Sequence, residues 1–362
     1  YNLDPSLFPE QYRSLAGPIP LFIAQQNEKG EWGWKENTFL LQYKIIGDMK
    51  AGFSWDGRER NLIFSERIPA VVVPSPSYIH ENGGDTYFNQ LARNLEAAGI
   101  DFISPHGFFH WYHLGKNPTY PPDRFDSKEK ILSWMTERID AFYKQLPGID
   151  YFIVVNEPVY YSGGSIGWEN SPYYNYLGEK WPEIAFRIAI QKAIENGVDL
   201  NQITFVWNDY GAEIKGPKSQ YINTYLSRIK SKFAQEFGRE VNMAVGLQFH
   251  VTTDPQKRVT WGGPYIGEMS YDNLVSNFRS FNVPVLITEF SVKGANDTTP
   301  DSLTQAQVAQ LVIRAALDSG NVVSFTWWES MHENNMFDTS GNPLLPYYVI
   351  LKEMSLHSLE NQ

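Results

Sequence analysis

Two glutamates stand where apolar runs stop. Tyr151-Phe152-Ile153-Val154-Val155 ends at Asn156-Glu157-Pro158, and Val283-Pro284-Val285-Leu286-Ile287-Thr288 ends at Glu289. A continuous apolar run of this length reads as a strand buried on both faces, as in a parallel sheet. Pro158 cannot donate to a ladder, so the first strand finishes there. Other runs also end in polar groups: His106 after 101–104, Asn208-Asp209 after 203–207, and Gln248 with His250 after 243–247. Trp327 ends the run 322–326. Two carboxyl groups facing each other can cleave a glycosidic bond, one as acid and base, the other as nucleophile. The acid needs a raised pKa, which burial and a neighbouring carboxylate both favour. Either glutamate alone reads as an ordinary salt-bridged strand end; the pair, with Asn156 and Thr288 beside it, points to chemistry. Asn156 next to Glu157 would face the other way unless the strand breaks, which Pro158 makes easy. An amide that only caps the loop fits Asn156 as well.

Elements that could bring these strand ends together recur along the chain. Asp85 to Gly99 has apolar residues at helical spacing and a terminal glycine, which predicts a helix with its C-cap. Helices are expected over 127–146, 182–196, 218–237, 272–281 and 304–319, the last capped by Ser302 or Thr304. A closing helix is expected over 344–354. Six strand–helix units are visible from residue 101 on. Pro20 to Ala24 and Pro69 to Pro74 read as strands, 31–34 and 39–46 as strands or a short helix; the first two barrel strands lie among them, and the stretch 159–178 reads as a long loop rich in Gly, Tyr and Trp. The economical reading is the α/β class: an eight-fold (β/α)8 TIM barrel, with catalytic groups at the carboxyl ends of its strands. A doubly wound sheet is second, but no glycine-rich phosphate turn follows the first strands. Residues 1–362 are expected to form one catalytic domain.

Composition narrows the classes. The 362 residues carry a formal net charge of −11 with only 30 Lys and Arg, which argues against nucleic acid as a partner. No apolar run approaches the roughly 20 residues of a membrane span. The absence of cysteine excludes disulfides, thiolate metal sites and cysteine nucleophiles. Aromatic residues make up 15% of the chain, enough to stack on sugar rings as well as to fill a core.

Four segments occur in order and at sensible spacing: Val154-Val155-Asn156-Glu157, Trp207-Asn208-Asp209-Tyr210, Gly246-Leu247-Gln248-Phe249-His250 and Ile287-Thr288-Glu289-Phe290. Together they resemble the family 10 glycoside hydrolases, the xylanase family of the large retaining (β/α)8-barrel clan, of which this chain looks like a divergent member. The Asn-Glu pair is shared across the clan, whereas Asn-Asp-Tyr and Gln-x-His point to the family. The resemblance covers roughly residues 85–330; residues 1–80 match poorly. It implies that Glu157 is the acid/base and Glu289 the nucleophile of a retaining endo-β-1,4-glycanase, most like a xylanase. It implies that Asn156 bonds the sugar 2-hydroxyl and that His250, with Gln248 nearby, orients Glu289. Asn208 would lie in or behind the cleft. His106 matches the family's first histidine after strand 3, Trp327 the tryptophan flooring the sugar site, and Lys50 its sugar-binding lysine after strand 2. The family's His-Thr-Leu-Val-Trp-His is His106-Gly107-Phe108-Phe109-His110-Trp111 here, leaving His110 and Trp111 as substrate contacts in an altered segment. The family's Asp two places after the nucleophile is Ser291. Its second tryptophan after strand 8 is missing, and Asn334 to Phe337 occupies that region. No cofactor is implied; the partner is a polysaccharide or oligosaccharide, and a secreted monomer is expected. The chain begins at Tyr1, as a processed protein would.

Other readings compete. Another β-linked glycan or exo action fits the same carboxylates. His106, His110 and His113 could bind zinc, but they follow a strand in an aromatic segment with no further ligand motif. A catalytically inactive sugar-binding barrel would keep Tyr160, Tyr161, Trp168, Tyr173, Tyr174 and Trp261, which equally fit loop packing. Buried carboxylates are costly to keep without a use, which argues against a pure binder. Asn296-Asp297-Thr298 matches a glycosylation sequon, a pattern that chance supplies often.

Overall fold

A computed structural model describes residues 22–26, 32–36, 62–65, 71–72, 102–103, 108–110, 126–145, 148–256, 263–294, 298–327 and 344–360. Its main sheet is built from β3 (Leu62–Ser65), β4 (Val71–Val72), β5 (Phe102–Ile103), β7 (Tyr151–Asn156), β10 (Thr204–Asp209), β11 (Met243–Leu247), β13 (Val285–Lys293) and β14 (Val322–Trp327). Neighbours along the sheet follow chain order from β4 to β14, and β14 then pairs back to β3. A doubly wound sheet reverses its order midway; an order that advances strand by strand with the chain, as from β4 to β14, is that of a (β/α)8 barrel. The fold is a TIM barrel of the α/β class. The pairs from β4 to β14 are parallel, whereas β3 runs antiparallel to β14. The expected strand at Pro20 to Ala24 lies elsewhere: among the described residues, β1 (Phe22–Gln26) pairs with β2 (Trp32–Glu36) in an antiparallel sheet of two strands.

Helices α1 (Lys128–Gln145), α3 (Trp181–Glu195), α4 (Pro217–Phe237), α5 (Tyr271–Ser280), α6 (Ser302–Ser319) and α7 (Leu345–Glu360) follow the strands; α2 (Pro172–Leu177) is a short turn before α3. The last extends beyond the sequence expectation, to Glu360 instead of Met354. Local chemistry sets the ends. Ser270 accepts from Asn273 N to start α5, and Gly320 in the left-handed region closes α6. The cap of α6 is Asp301, accepting from Thr304 N; Ser302 and Thr304 lie inside the helix. The stretch 159–178 is more ordered than a loop. β8 (Val159–Ser162) and β9 (Ser165–Trp168) form a hairpin through Gly163 and Gly164, both at positive φ as a two-residue turn requires.

Helices bury one face against the strands. Phe142 of α1 stacks on Phe152 of β7 at 4.7 Å, and Glu183, buried on α3, accepts from Arg187 of the same helix and from Arg228 and Lys232 of α4. Ile153, Val206, Ala244 and Leu286 pack in a cluster separate from this core. They line the barrel interior, and the polar strand ends stand above them. No described helix is long and apolar enough to cross a membrane.

Candidate active site

Side chains alternate along a strand, so Val206 and Asn208 share the interior face of β10, and Ala244, Gly246 and Gln248 that of β11. On β7 the same rule would bring Val155 inward above Ile153. It does not, because the register slips by one residue: Ile153 pairs with Val206, but Val155 pairs with Trp207 and Asn156 with Asn208. The bulge turns Val154 and Val155 to the core and Asn156 to the interior. Glu157 then takes the left-handed backbone region, φ 50°, so its side chain joins Asn156 at the same mouth. Its N–H still donates to Asn208 O at 2.9 Å. On β13 the register slips between Ile287 and Phe290, so Thr288 and Glu289 both reach the interior. Each glutamate is thus delivered by a strand irregularity.

The two carboxyls are joined by amides. Gln248 Nε2 donates to Glu157 Oε1 at 2.6 Å and to Asn156 Oδ1 at 3.4 Å. Asn208 Nδ2 donates to Asn156 Oδ1 at 2.6 Å and to Glu289 Oε1 at 2.8 Å. Thr288 Oγ1 donates to Asn208 Oδ1 at 2.5 Å and fixes the flip of that amide. His250 Nε2 faces Glu289 Oε2 at 3.2 Å, and its Nδ1 faces Ser291 Oγ at 2.7 Å. Asn156 is fully buried with both acceptor bonds used, yet among the described residues its Nδ2 has no partner. A buried donor left open beside two carboxyls is poised for a ligand oxygen. The strands approach closely here: a Cβ on Gly246 would collide with Asn208 Oδ1 and press Thr288 Cγ2.

A charged layer that sequence reasoning missed supports this network. Asp209, fully buried, pairs with buried Lys218 at 2.8 Å and accepts from Trp207 Nε1 at 3.0 Å. Lys218 Nζ also lies 3.6 Å from the centre of the Tyr210 ring, and Tyr210 Oη donates to Glu169 at 3.1 Å. Burial pushes the Asp209 carboxyl up to about 7, against the pull of Lys218 and with a further push from Glu157. Glu213 accepts from Phe249 N at 3.0 Å, and burial raises its carboxyl too. Phe249 holds φ 67°, the second non-glycine residue in the left-handed region among those described, where β11 passes to β12 (His250–Thr252). Asp209 was visible as a polar strand end. Lys218 had a weaker signal, a lysine in the first turn of a helix, where the dipole disfavours it.

The structure therefore brings together Glu157, Glu289, Asn156, Asn208, Gln248 and His250. His110 stands beside Asn156 in the ladder between β6 (Phe109–His110) and β7. Trp327 sits elsewhere. It shares the core side of β14 with Phe325, fully buried, its ring 5.0 Å from that of Phe290. Strand alternation sends it to the helices and not to the interior, correcting the expectation that it floors a sugar site. His106, His113, Trp111, Lys50, Trp261, 334–337 and the helix Asp85 to Gly99 lie outside the described residues. Trp168 and Tyr174 stack on each other at 5.9 Å and Tyr173 is buried, while Tyr160 and Tyr161 are exposed.

Two carboxyls bridged by buried amides at the carboxyl ends of β7 and β13 are the kind of pair that glycoside hydrolysis uses. The sequence profile of glycosyl hydrolase family 10 matches residues 76–347, and the chain belongs to that family. Xylanase 10B of Thermotoga maritima is similar in structure, with a TM-score of 0.58 and 21% identity over 75% of this chain and 80% of that one. An endo-1,4-β-xylanase of Penicillium canescens gives 0.56 and 18% over 74% and 78%, respectively. An intracellular xylanase of Thermoanaerobacterium saccharolyticum gives 0.55 and 18% over 76% and 84%. Comparison with curated proteins returned no match.

Proposed function

We propose that this chain is a retaining endo-β-1,4-glycanase of the xylanase type. Glu157 protonates the leaving oxygen while Glu289 attacks the anomeric carbon, forming a glycosyl-enzyme. Glu157, now ionised, then takes a proton from the water that hydrolyses it. The observation that carries this reading is the amide chain joining the two carboxyls, Glu157–Gln248–Asn156–Asn208–Glu289. It gives the two acids different surroundings. Glu289, 5% exposed, takes the Asn208 amide on one oxygen and faces His250 with the other, as suits a carboxylate nucleophile. Glu157 is less buried and accepts from the Gln248 amide on Oε1, an exposure that leaves it within reach of a leaving oxygen. Asn156 Nδ2 supplies the donor for the sugar 2-hydroxyl, a bond that strengthens in the transition state.

Xylan as the substrate is supported by family membership and by the xylanase names of the structural neighbours. A polymer of that size is reached by an exported enzyme, so we place the chain outside the cell as a monomer. Activity in culture supernatant and gel filtration read those two points. Glu289→Ala is expected to abolish hydrolysis of an aryl β-xyloside and of xylan while circular dichroism stays unchanged. Unchanged turnover in that variant sinks the assignment. Aryl xylosides, glucosides and arabinosides, assayed beside xylan and mixed-linkage glucan, fix the sugar; faster cleavage of the glucan overturns xylan.

A further inference from the structure

We propose that Ser291 is a positioning residue that sets the tautomer of His250 and so keeps a hydrogen-bond donor on Glu289. The proposal rests on Glu289 being the nucleophile. An ionised carboxylate only accepts hydrogen bonds, so His250 Nε2, 3.2 Å from Glu289 Oε2, must carry a proton for the contact to be favourable. A neutral imidazole has one proton. With it on Nε2, Nδ1 is bare and needs a donor. Ser291 Oγ stands 2.7 Å from Nδ1, fully buried, and its single O–H fills that need. With the proton on Nδ1 instead, the Nε2 lone pair would point at the carboxylate and the nucleophile would lose one of its donors.

The ladder makes this contact local and rigid. His250 pairs with Ser291 in the β12–β13 register, so their side chains are neighbours by backbone geometry. Among the described residues, the acidic groups facing His250 include Glu289 from β13 and Glu213 from the segment after β10. Glu213 is spent on Phe249 N, and burial favours its neutral form. A hydroxyl at Nδ1 stabilises the neutral ring, where a carboxylate would favour an imidazolium. The nucleophile then gains a donor without gaining an adjacent cation that would dull it.

The test reads the tautomer directly. Nitrogen-15 spectra of histidine-labelled protein, with His250→Gln to assign the signal among the 7 histidines, are expected to show His250 as the neutral Nε2–H form at neutral pH. Ser291→Thr keeps that form and the wild-type kcat. Ser291→Ala mixes the tautomers and lowers kcat on an aryl β-xyloside by about tenfold to a hundredfold, the scale of losing one hydrogen bond to a charged group, with little change in KM. A wild-type signal from the Nδ1–H form or the imidazolium overturns the proposal. So does an unchanged tautomer or an unchanged kcat in Ser291→Ala. The tautomer is read without turnover, so a failed hydrolase assignment and a failed role for Ser291 give different results.

Discussion

Replacing Lys218 by methionine separates the buried ion pair from the packing around it. Lys218 and Asp209 are both almost fully buried, 2.8 Å apart, so the lost ammonium leaves a carboxyl with no cation beside it. Even with Lys218 present, burial holds Asp209 at about 7, against 3.8 for the free group. That rise is about 4 kcal/mol, at 1.36 kcal/mol per unit. The sign follows from proton binding. A raised carboxyl binds protons better in the folded chain, so stability from this group is full below the unfolded pKa and is lost as pH rises through about 7. Without the ammonium, the carboxyl rises further. The Lys218→Met variant then keeps losing stability above pH 7, by about 1.4 kcal/mol per pH unit, where the wild type has levelled off. Breaking a buried pair by removing one partner costs about 3–5 kcal/mol. With an unfolding entropy of about 2.1 cal/mol/K per residue over 362 residues, that is an apparent Tm drop of about 4–7 °C at pH 8. At pH 5 Asp209 is protonated in the folded state and the drop is expected to be under half as large. Thermal unfolding of wild type, Lys218→Met, Asp209→Asn and the double variant at both pH values measures this. The double variant is expected to recover most of the pH 8 loss. A loss independent of pH, or single losses that simply add, refutes the reasoning.

Gly246→Ala drives a methyl into Asn208 Oδ1 and Thr288 Cγ2, both backed by buried strands, so an overpacking cost of about 1–3 kcal/mol is expected, read by denaturant midpoint. Because Asn208 holds both Asn156 and Glu289, kcat is expected to fall while KM moves little. Asn156→Ala removes the open Nδ2 donor. A loss of about tenfold to a hundredfold in kcat/KM on an aryl xyloside is expected, with much less on its 2-deoxy analogue, since only the former has the hydroxyl to lose. Equal losses on both substrates contradict that role.

Much of the frame was legible because a parallel barrel repeats one signal. Each buried strand is an apolar run, and each run between 151 and 289 is a strand with a polar group at its end. Both glutamates were readable for that reason. What strict alternation could not show is how Asn156 and Glu157 face the same way: Pro158 marks a break, but the slip at Val154 and the left-handed Glu157 are tertiary outcomes. Trp327 follows plain alternation on β14 and joins Phe325 on the core side, a facing that the position of a run's end does not reveal. The β8–β9 hairpin was a missed signal, as Ser162-Gly163-Gly164-Ser165 spells a two-residue turn. The Asp209–Lys218 pair joins residues nine apart through a strand–helix turn, a partnership that burial creates and composition does not record.

The central claim is that Glu289 forms the covalent bond to the sugar. A 2-deoxy-2-fluoro xylobioside with a good leaving group slows the second step more than the first, so the glycosyl-enzyme accumulates for mass spectrometry. One added 2-deoxy-2-fluoroxylobiosyl mass per chain, mapped to the peptide holding Glu289 and absent from Glu289→Ala, is the expected result. An active enzyme that gains no mass, or carries the adduct on another residue, contradicts it.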